Sequence, residues 1–127
     1  MAKKILIVED ETDLREALVD QLSREGFGAK EARNGEEGLE MALKEHPDLI
    51  LLDIVMPKMD GMTMMKKLRE DEWGKSVPII LLTNLSATED TTIKGIVENE
   101  PAYYLVKSDW KIGDVVVKIR EVLGIED

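Results

Sequence analysis

Four short aliphatic runs, each ending in a polar or charged residue, limit what this chain can fold into. Residues 5–8 run into Glu9 and Asp10, 49–52 into Asp53, 77–82 into Thr83 and 103–106 into Lys107. Runs this apolar belong to strands covered on both faces. Stretches with helical spacing separate them, which is the alternation of an α/β fold built on a parallel sheet. Parallel strands bring their ends to one edge, where doubly wound folds place their sites. A carboxylate buried there unpaired costs several kcal/mol, so something at that edge has to use Asp53.

The pattern resolves into five strands and five helices in strict alternation. The strands are expected over 5–8, 27–32, 49–52, 77–82 and 103–106. The second, poorest in aliphatics, suits a sheet edge, and Pro78 falls near the start of the fourth, where a missing N–H matters least. Thr12 or Asp13 is placed to cap the first helix, with Glu16 three residues after Asp13. Leu14, Ala17, Leu18 and Leu22 form its apolar face, and Gly26 ends it. Asn34 caps the second helix, with Leu39, Ala42 and Leu43 inward and a stop before Pro47. A third helix is expected over 62–73 with Met64, Met65 and Leu68 in the core. A fourth, over 86–98, has low intrinsic propensity because of Thr91, Thr92, Ile93 and Val97. The last, over 111–123, spaces Ile112, Val115, Val116, Ile119, Val122 and Leu123 for one apolar face. Asp60-Gly61 is a turn signal. His46 reads as a surface residue, and Trp73 and Trp110 each as either partial core or an exposed contact.

At 127 residues the chain is expected to be a single domain over 1–127, large enough for a core without a metal or disulfide staple. It has no cysteine, which rules out disulfides and thiolate-bound zinc and fits a cytoplasmic location. The N-terminal apolar run is too short for a signal peptide or a membrane span. A net charge of −10 argues against gripping a nucleic-acid backbone directly. Neither G-x-x-x-x-G-K-[ST] nor G-x-G-x-x-G occurs, which weighs against a nucleotide or flavin binder.

Glu9, Asp10 and Asp53 repel one another unless a cation sits among them. Hard oxygen ligands with water access suit Mg²⁺, which binds through one or two carboxylates and substrate phosphate oxygens. The backbone carbonyl of Val55 can add a further oxygen. A carboxylate can also be the nucleophile of phosphoryl transfer, giving an acyl phosphate. Such transfer needs positioning and charge neutralisation above all. Lys107 offers a compact positive charge and Thr83 a hydroxyl donor. Taken singly, each residue has a plainer reading: Glu9 or Asp10 complementing a helix dipole, Thr83 a strand-end hydroxyl, Lys107 a surface lysine, Tyr104 ordinary core.

Together, Val8-Glu9-Asp10-Glu11, the stretch from Asp53 through Met56-Pro57 to Asp60-Gly61, Leu82-Thr83 and Tyr104-Leu105-Val106-Lys107 resemble the receiver domain of bacterial two-component response regulators. The resemblance covers essentially the whole chain. It implies a five-stranded parallel sheet in flavodoxin-like order, Asp53 as phosphoacceptor, Glu9 and Asp10 as the acidic pair at Mg²⁺, Thr83 and Lys107 on the phosphoryl group, and Tyr104 as the switch aromatic. It further implies a phosphoryl donor that is a sensor histidine kinase or phosphotransfer protein. Phosphorylation would shift the face built from the helix at 86–98, the fifth strand and the last helix toward a downstream protein, as a monomer or a phosphorylation-dependent dimer. Such a chain is a signalling switch that catalyses only its own phosphorylation and dephosphorylation. The other readings are a phosphorylation-independent adaptor on the same scaffold and a metal-dependent phosphatase.

Several positions depart from the family pattern. Ser108 stands where proline usually follows Lys107, so a trans bond is the default there. Asn84 replaces a small residue after Thr83, and residues 98–102 replace a Gly-Ala turn. Val55 and Leu85, both apolar, flank the place of the phosphoryl group and are expected to hinder the attacking water, giving slow self-dephosphorylation.

Overall fold

The computed structural model describes residues 2–53, 59–83, 102–106 and 111–125, with Thr83 and 102–106 described as backbone alone. The elements are β1 (Lys4–Val8), α1 (Thr12–Arg24), β2 (Gly28–Ala32), α2 (Gly35–Glu45), β3 (Leu49–Asp53), α3 (Gly61–Arg69), β4 (Ile79–Thr83), β5 (Ala102–Val106) and α4 (Ile112–Leu123). The five strands form one sheet in the order β2-β1-β3-β4-β5, every neighbouring pair parallel. This is the flavodoxin-like doubly wound order. The helix expected over 86–98 lies outside the described residues, as do Trp110 and residues 98–101.

Alternation along the strands divides the core into two layers. Leu6, Val8, Ile50, Leu52, Ile79 and Leu81 face one way, against Ala42 of α2 and Met64, Met65 and Leu68 of α3. Ile5, Ile7, Leu49, Leu51, Ile80 and Leu82 face the other way, against Leu18 and Leu22 of α1 and Val115, Val116 and Ile119 of α4. Every residue of β3 is buried, as its aliphatic run requires of a central strand. The aliphatic-poor β2 takes one edge of the sheet, with Lys30 and Glu31 exposed.

The helix boundaries differ from expectation in instructive places. Neither Thr12 nor Asp13 caps α1. Its N-cap is Glu11, whose carbonyl accepts the first helical bond, from the Arg15 N–H at 2.9 Å, while its side chain makes no cap bond. Asn34 caps α2 as expected, accepting from the Glu37 N–H at 2.9 Å. Asp60 does more than turn the chain: its Oδ1 accepts from the Thr63 N–H at 2.8 Å and starts α3. Leu43 is not inward but 39% exposed. Helix α2 buries Gly35, Gly38 and Ala42 instead, Gly38 and Ala42 toward the sheet and Gly35 against the backbone of Met59. A Cβ on Gly38 would lie 2.8 and 2.9 Å from the methyls of Val8, so glycine lets the helix approach.

Helix α3 stops at Arg69, four residues short of the expected end at Trp73. The Arg69 side chain folds over the following turn and donates from Nη1 to the carbonyls of Gly74 (2.7 Å) and Val77 (2.8 Å). Burial of the guanidinium lowers its pKa from the ordinary arginine value, and it stays charged at neutral pH. Asp71 Oδ2 accepts from the Gly74 N–H at 2.9 Å, closing the turn. Trp73 packs part-buried against the α2/α3 layer and stacks on the exposed His46, ring centroids 4.3 Å apart.

Candidate functional site: an acidic cluster at the sheet edge

Parallel pairing brings the strand ends together. Val8 pairs with Leu52, Asp53 with Leu82 and Thr83 with Val106. Glu9, one residue beyond Val8, therefore lies level with Asp53. By the same alternation that buries Ile7 and Leu51 in the α1/α4 layer, Glu9 and Asp53 project from the α1 side of the sheet.

One carboxylate oxygen from each of Glu9, Asp10 and Asp53 lies within 4.8 Å of the other two. Among the described residues this is the one such cluster of potential metal ligands. The three environments differ. Glu9 is fully buried and Asp53 is 4% exposed, while Asp10 faces solvent. Two buried carboxylates, one on a strand and one on the turn after β1, and a third open to water make a hard-oxygen site of the kind Mg²⁺ takes, with room to keep water ligands. The donor set fits that ion better than zinc or copper, which favour nitrogen and sulfur ligands.

The β1–α1 turn that carries Glu9 and Asp10 is tied from several sides. The Glu9 N–H donates to the Ala32 carbonyl of β2 at 3.1 Å. Glu9 Oε2 accepts from the Glu11 N–H at 3.1 Å. The Glu9 carbonyl accepts from Arg15 Nη1 at 2.9 Å. Arg15 also donates from Nε to Glu31 Oε1 on β2, again at 2.9 Å. Its side chain is only 8% exposed.

The structure brings the three acids expected at this edge together, and beside them stands Arg15, for which the sequence raises no expectation. A signal was nonetheless present, because Arg15 occupies the position three before Leu18 and seven before Leu22, inside the apolar stripe of α1. A charged residue in such a stripe needs a buried partner. Thr83 ends β4 at the same sheet edge, and Tyr104 sits in the outer strand β5 opposite Leu81. The side chains of both, and Val55 and Lys107 entirely, lie outside the described residues. So do Asn84, Leu85 and Ser108. No helix among the described residues is long and apolar enough to cross a membrane.

Comparison with known proteins gives this arrangement a family. The family described as "Response regulator receiver domain" matches residues 5–119. The chain is 39% identical over 121 residues to a probable transcriptional regulator, ycf27, of Porphyridium aerugineum, covering 95% of the chain and 48% of that protein. It is 38% identical over 123 residues to the transcriptional regulatory protein SrrA of Staphylococcus aureus, covering 97% and 48%. The chain thus spans about half the length of the curated relatives it matches. Among solved structures it resembles the response regulator TrrA of Thermotoga maritima, in complex with Mg²⁺ and BeF, at 32% identity and a TM-score of 0.80, covering 94% of this chain and 98% of that one. With the sheet order, the acidic strand ends and these matches agreeing, the chain belongs to the response regulator receiver domains, the signalling switches of two-component systems.

Proposed function

We propose that Asp53 accepts a phosphoryl group from a sensor histidine kinase or phosphotransfer protein, with Mg²⁺ held by Glu9, Asp10, Asp53 and the carbonyl of Val55. The observation that carries this reading is the approach of three carboxylates to within 4.8 Å of one another at the C-terminal edge of a parallel sheet. Asp53 is anchored at the end of a fully buried central strand, so its carboxylate is held in one place rather than sampling solvent. That fixed position favours in-line attack on a phosphorus atom, since such transfer depends on alignment more than on covalent help.

In the step itself, an Asp53 carboxylate oxygen forms a bond to phosphorus as the bond from phosphorus to the donor breaks, and the donor leaves with that electron pair. Glu9, buried, and Asp10, at the surface, would hold Mg²⁺, which when bound would supply positive charge to offset that on the phosphoryl oxygens. Thr83 donates its hydroxyl and Lys107 its ammonium to the transferred group. The added charge of about −2 draws Thr83 inward, and Tyr104 on β5 follows into the space it leaves. The consequence is a population shift on the face that includes β5 and α4, read by a downstream protein.

The structurally similar response regulator TrrA was solved in complex with Mg²⁺ and BeF, which supports a Mg²⁺ role here. The relatives that are transcriptional regulators are about twice as long as this chain, and direct nucleic-acid binding is not proposed for residues 1–127. The domain is proposed to act in the cytoplasm, as one unit over residues 1–127, alone or as a phosphorylation-dependent dimer. Incubation with acetyl phosphate and Mg²⁺ followed by intact mass measurement tests the proposal. A single phosphoryl adduct that is absent without Mg²⁺ and absent in Asp53→Asn is the expected result. No adduct on the wild-type chain would favour the phosphorylation-independent adaptor, and catalytic release of product from an added phosphoester would favour a phosphatase.

A further inference from the structure

We propose that Arg15 is a positioning residue for the divalent-cation site, and that Glu31 holds Arg15 in place. The proposal rests on the reading of Glu9, Asp10 and Asp53 as the Mg²⁺ ligands. Asp53 needs no such help, because its backbone lies inside the sheet between β1 and β4. Glu9 and Asp10 are different: they follow the end of β1 and belong to a turn. A turn carrying two of three ligands must be held against the mutual repulsion of those ligands before any ion arrives.

Arg15 is placed to do this. It rises from the first turn of α1, is 7% exposed, and sends Nη1 to the carbonyl of Glu9 at 2.9 Å. Its Nε takes a different partner, Glu31 of the edge strand β2, at 2.9 Å. One planar guanidinium thus ties the acidic turn, the helix that follows it and the neighbouring strand into one unit. The two bonds diverge from a rigid fork, a geometry an ammonium cannot copy. The positive charge also lies beside a carboxylate cluster in a chain of net charge −10, which lowers the cost of assembling the empty site. Partners that orient metal ligands without touching the metal matter at the level of about 10–100-fold in affinity.

The test is calorimetric titration of Mg²⁺ into the full chain with no phosphodonor, alongside a thermal melt of each variant. Arg15→Lys keeps the charge and loses the fork, and about tenfold weaker Mg²⁺ binding is expected. Arg15→Gln should be at least as weak. Glu31→Gln, at a half-exposed position that tolerates change, should weaken binding by about threefold, the scale of an exposed ion pair. In the double variant the Glu31 change should add nothing further, because it acts only through Arg15. Wild-type affinity in both Arg15 variants, measured well below their melting temperatures, would show that the residue serves stability alone and would overturn the proposal. Full affinity in Arg15→Lys with loss in Arg15→Gln would overturn it too, since charge rather than positioning would then be sufficient. Absence of Mg²⁺ binding in the wild-type chain would instead remove the metal site itself, and the proposed function with it.

Discussion

Replacing Glu9 by Gln should stabilise the metal-free chain and reverse that advantage when Mg²⁺ is present. Glu9 and Asp53 are both buried, with carboxylate oxygens no more than 4.8 Å apart. At an effective dielectric constant of about 20 their repulsion is about 3 kcal/mol. The exposed Asp10 is left out of that figure because solvent screens it. Arg15, on the Glu9 carbonyl, and the other groups bonded to Glu9 and Asp53 offset part of the repulsion, leaving a net of about 1–2 kcal/mol once screening is counted. Glutamine has the same shape and can still accept from the Glu11 N–H, so little else changes. Urea denaturation in a chelating buffer should therefore move the midpoint up by about 0.5–1 M in the variant. In Mg²⁺ at a hundred times its dissociation constant, the wild-type chain gains about 2.7 kcal/mol and the variant much less. A variant less stable than wild type in chelator, or an equal gain from Mg²⁺ in both, would refute the electrostatic argument.

Other perturbations separate the scaffold from the site. Gly38→Ala should destabilise by about 1–3 kcal/mol, because the new methyl meets Val8 at 2.8 Å and the Met64 sulfur at 3.1 Å. Gly113→Ala, with nothing within 4 Å, should stabilise by about 0.5–1 kcal/mol. Equal signs in the two urea melts would contradict the packing described for α2. Arg69→Met should cost about 1.5–3 kcal/mol through the lost bonds to the Gly74 and Val77 carbonyls, while Mg²⁺ affinity stays as in wild type. Val55→Asn should shorten the lifetime of the phosphorylated state, followed by intact mass over time, since a polar residue there can help position the attacking water. A lifetime unchanged or lengthened by the substitution removes the idea that Val55 shields the acyl phosphate.

Much of this was readable from patterns that local chemistry enforces. Aliphatic runs located four of the strands to within two residues, because a strand buried on both faces admits little else, and the aliphatic-poor edge strand β2 followed from its place in the alternation of elements. The acidic trio followed from the same runs, since parallel strands bring their ends together. What escaped is what only tertiary contact decides. The end of α3 depends on Arg69 reaching carbonyls five and eight residues ahead, and the sequence after Arg69 remains compatible with helix. Leu43 looked inward by spacing, but Gly38 lets α2 turn a different stripe to the sheet. Arg15 was hidden because arginine is usually a surface residue, and its burial rests on a strand sixteen residues away.

The central claim is that Asp53, and no other acid of the cluster, takes the phosphoryl group. It is tested most directly by phosphorylating the chain with acetyl phosphate and Mg²⁺, reducing with borohydride and mapping the peptides by mass. Hydride reduction of an aspartyl phosphate releases phosphate and leaves homoserine at the acceptor position. Homoserine is expected at position 53 alone, dependent on Mg²⁺ during phosphorylation. Homoserine at position 10, or reduction products spread over several acidic residues, would contradict it.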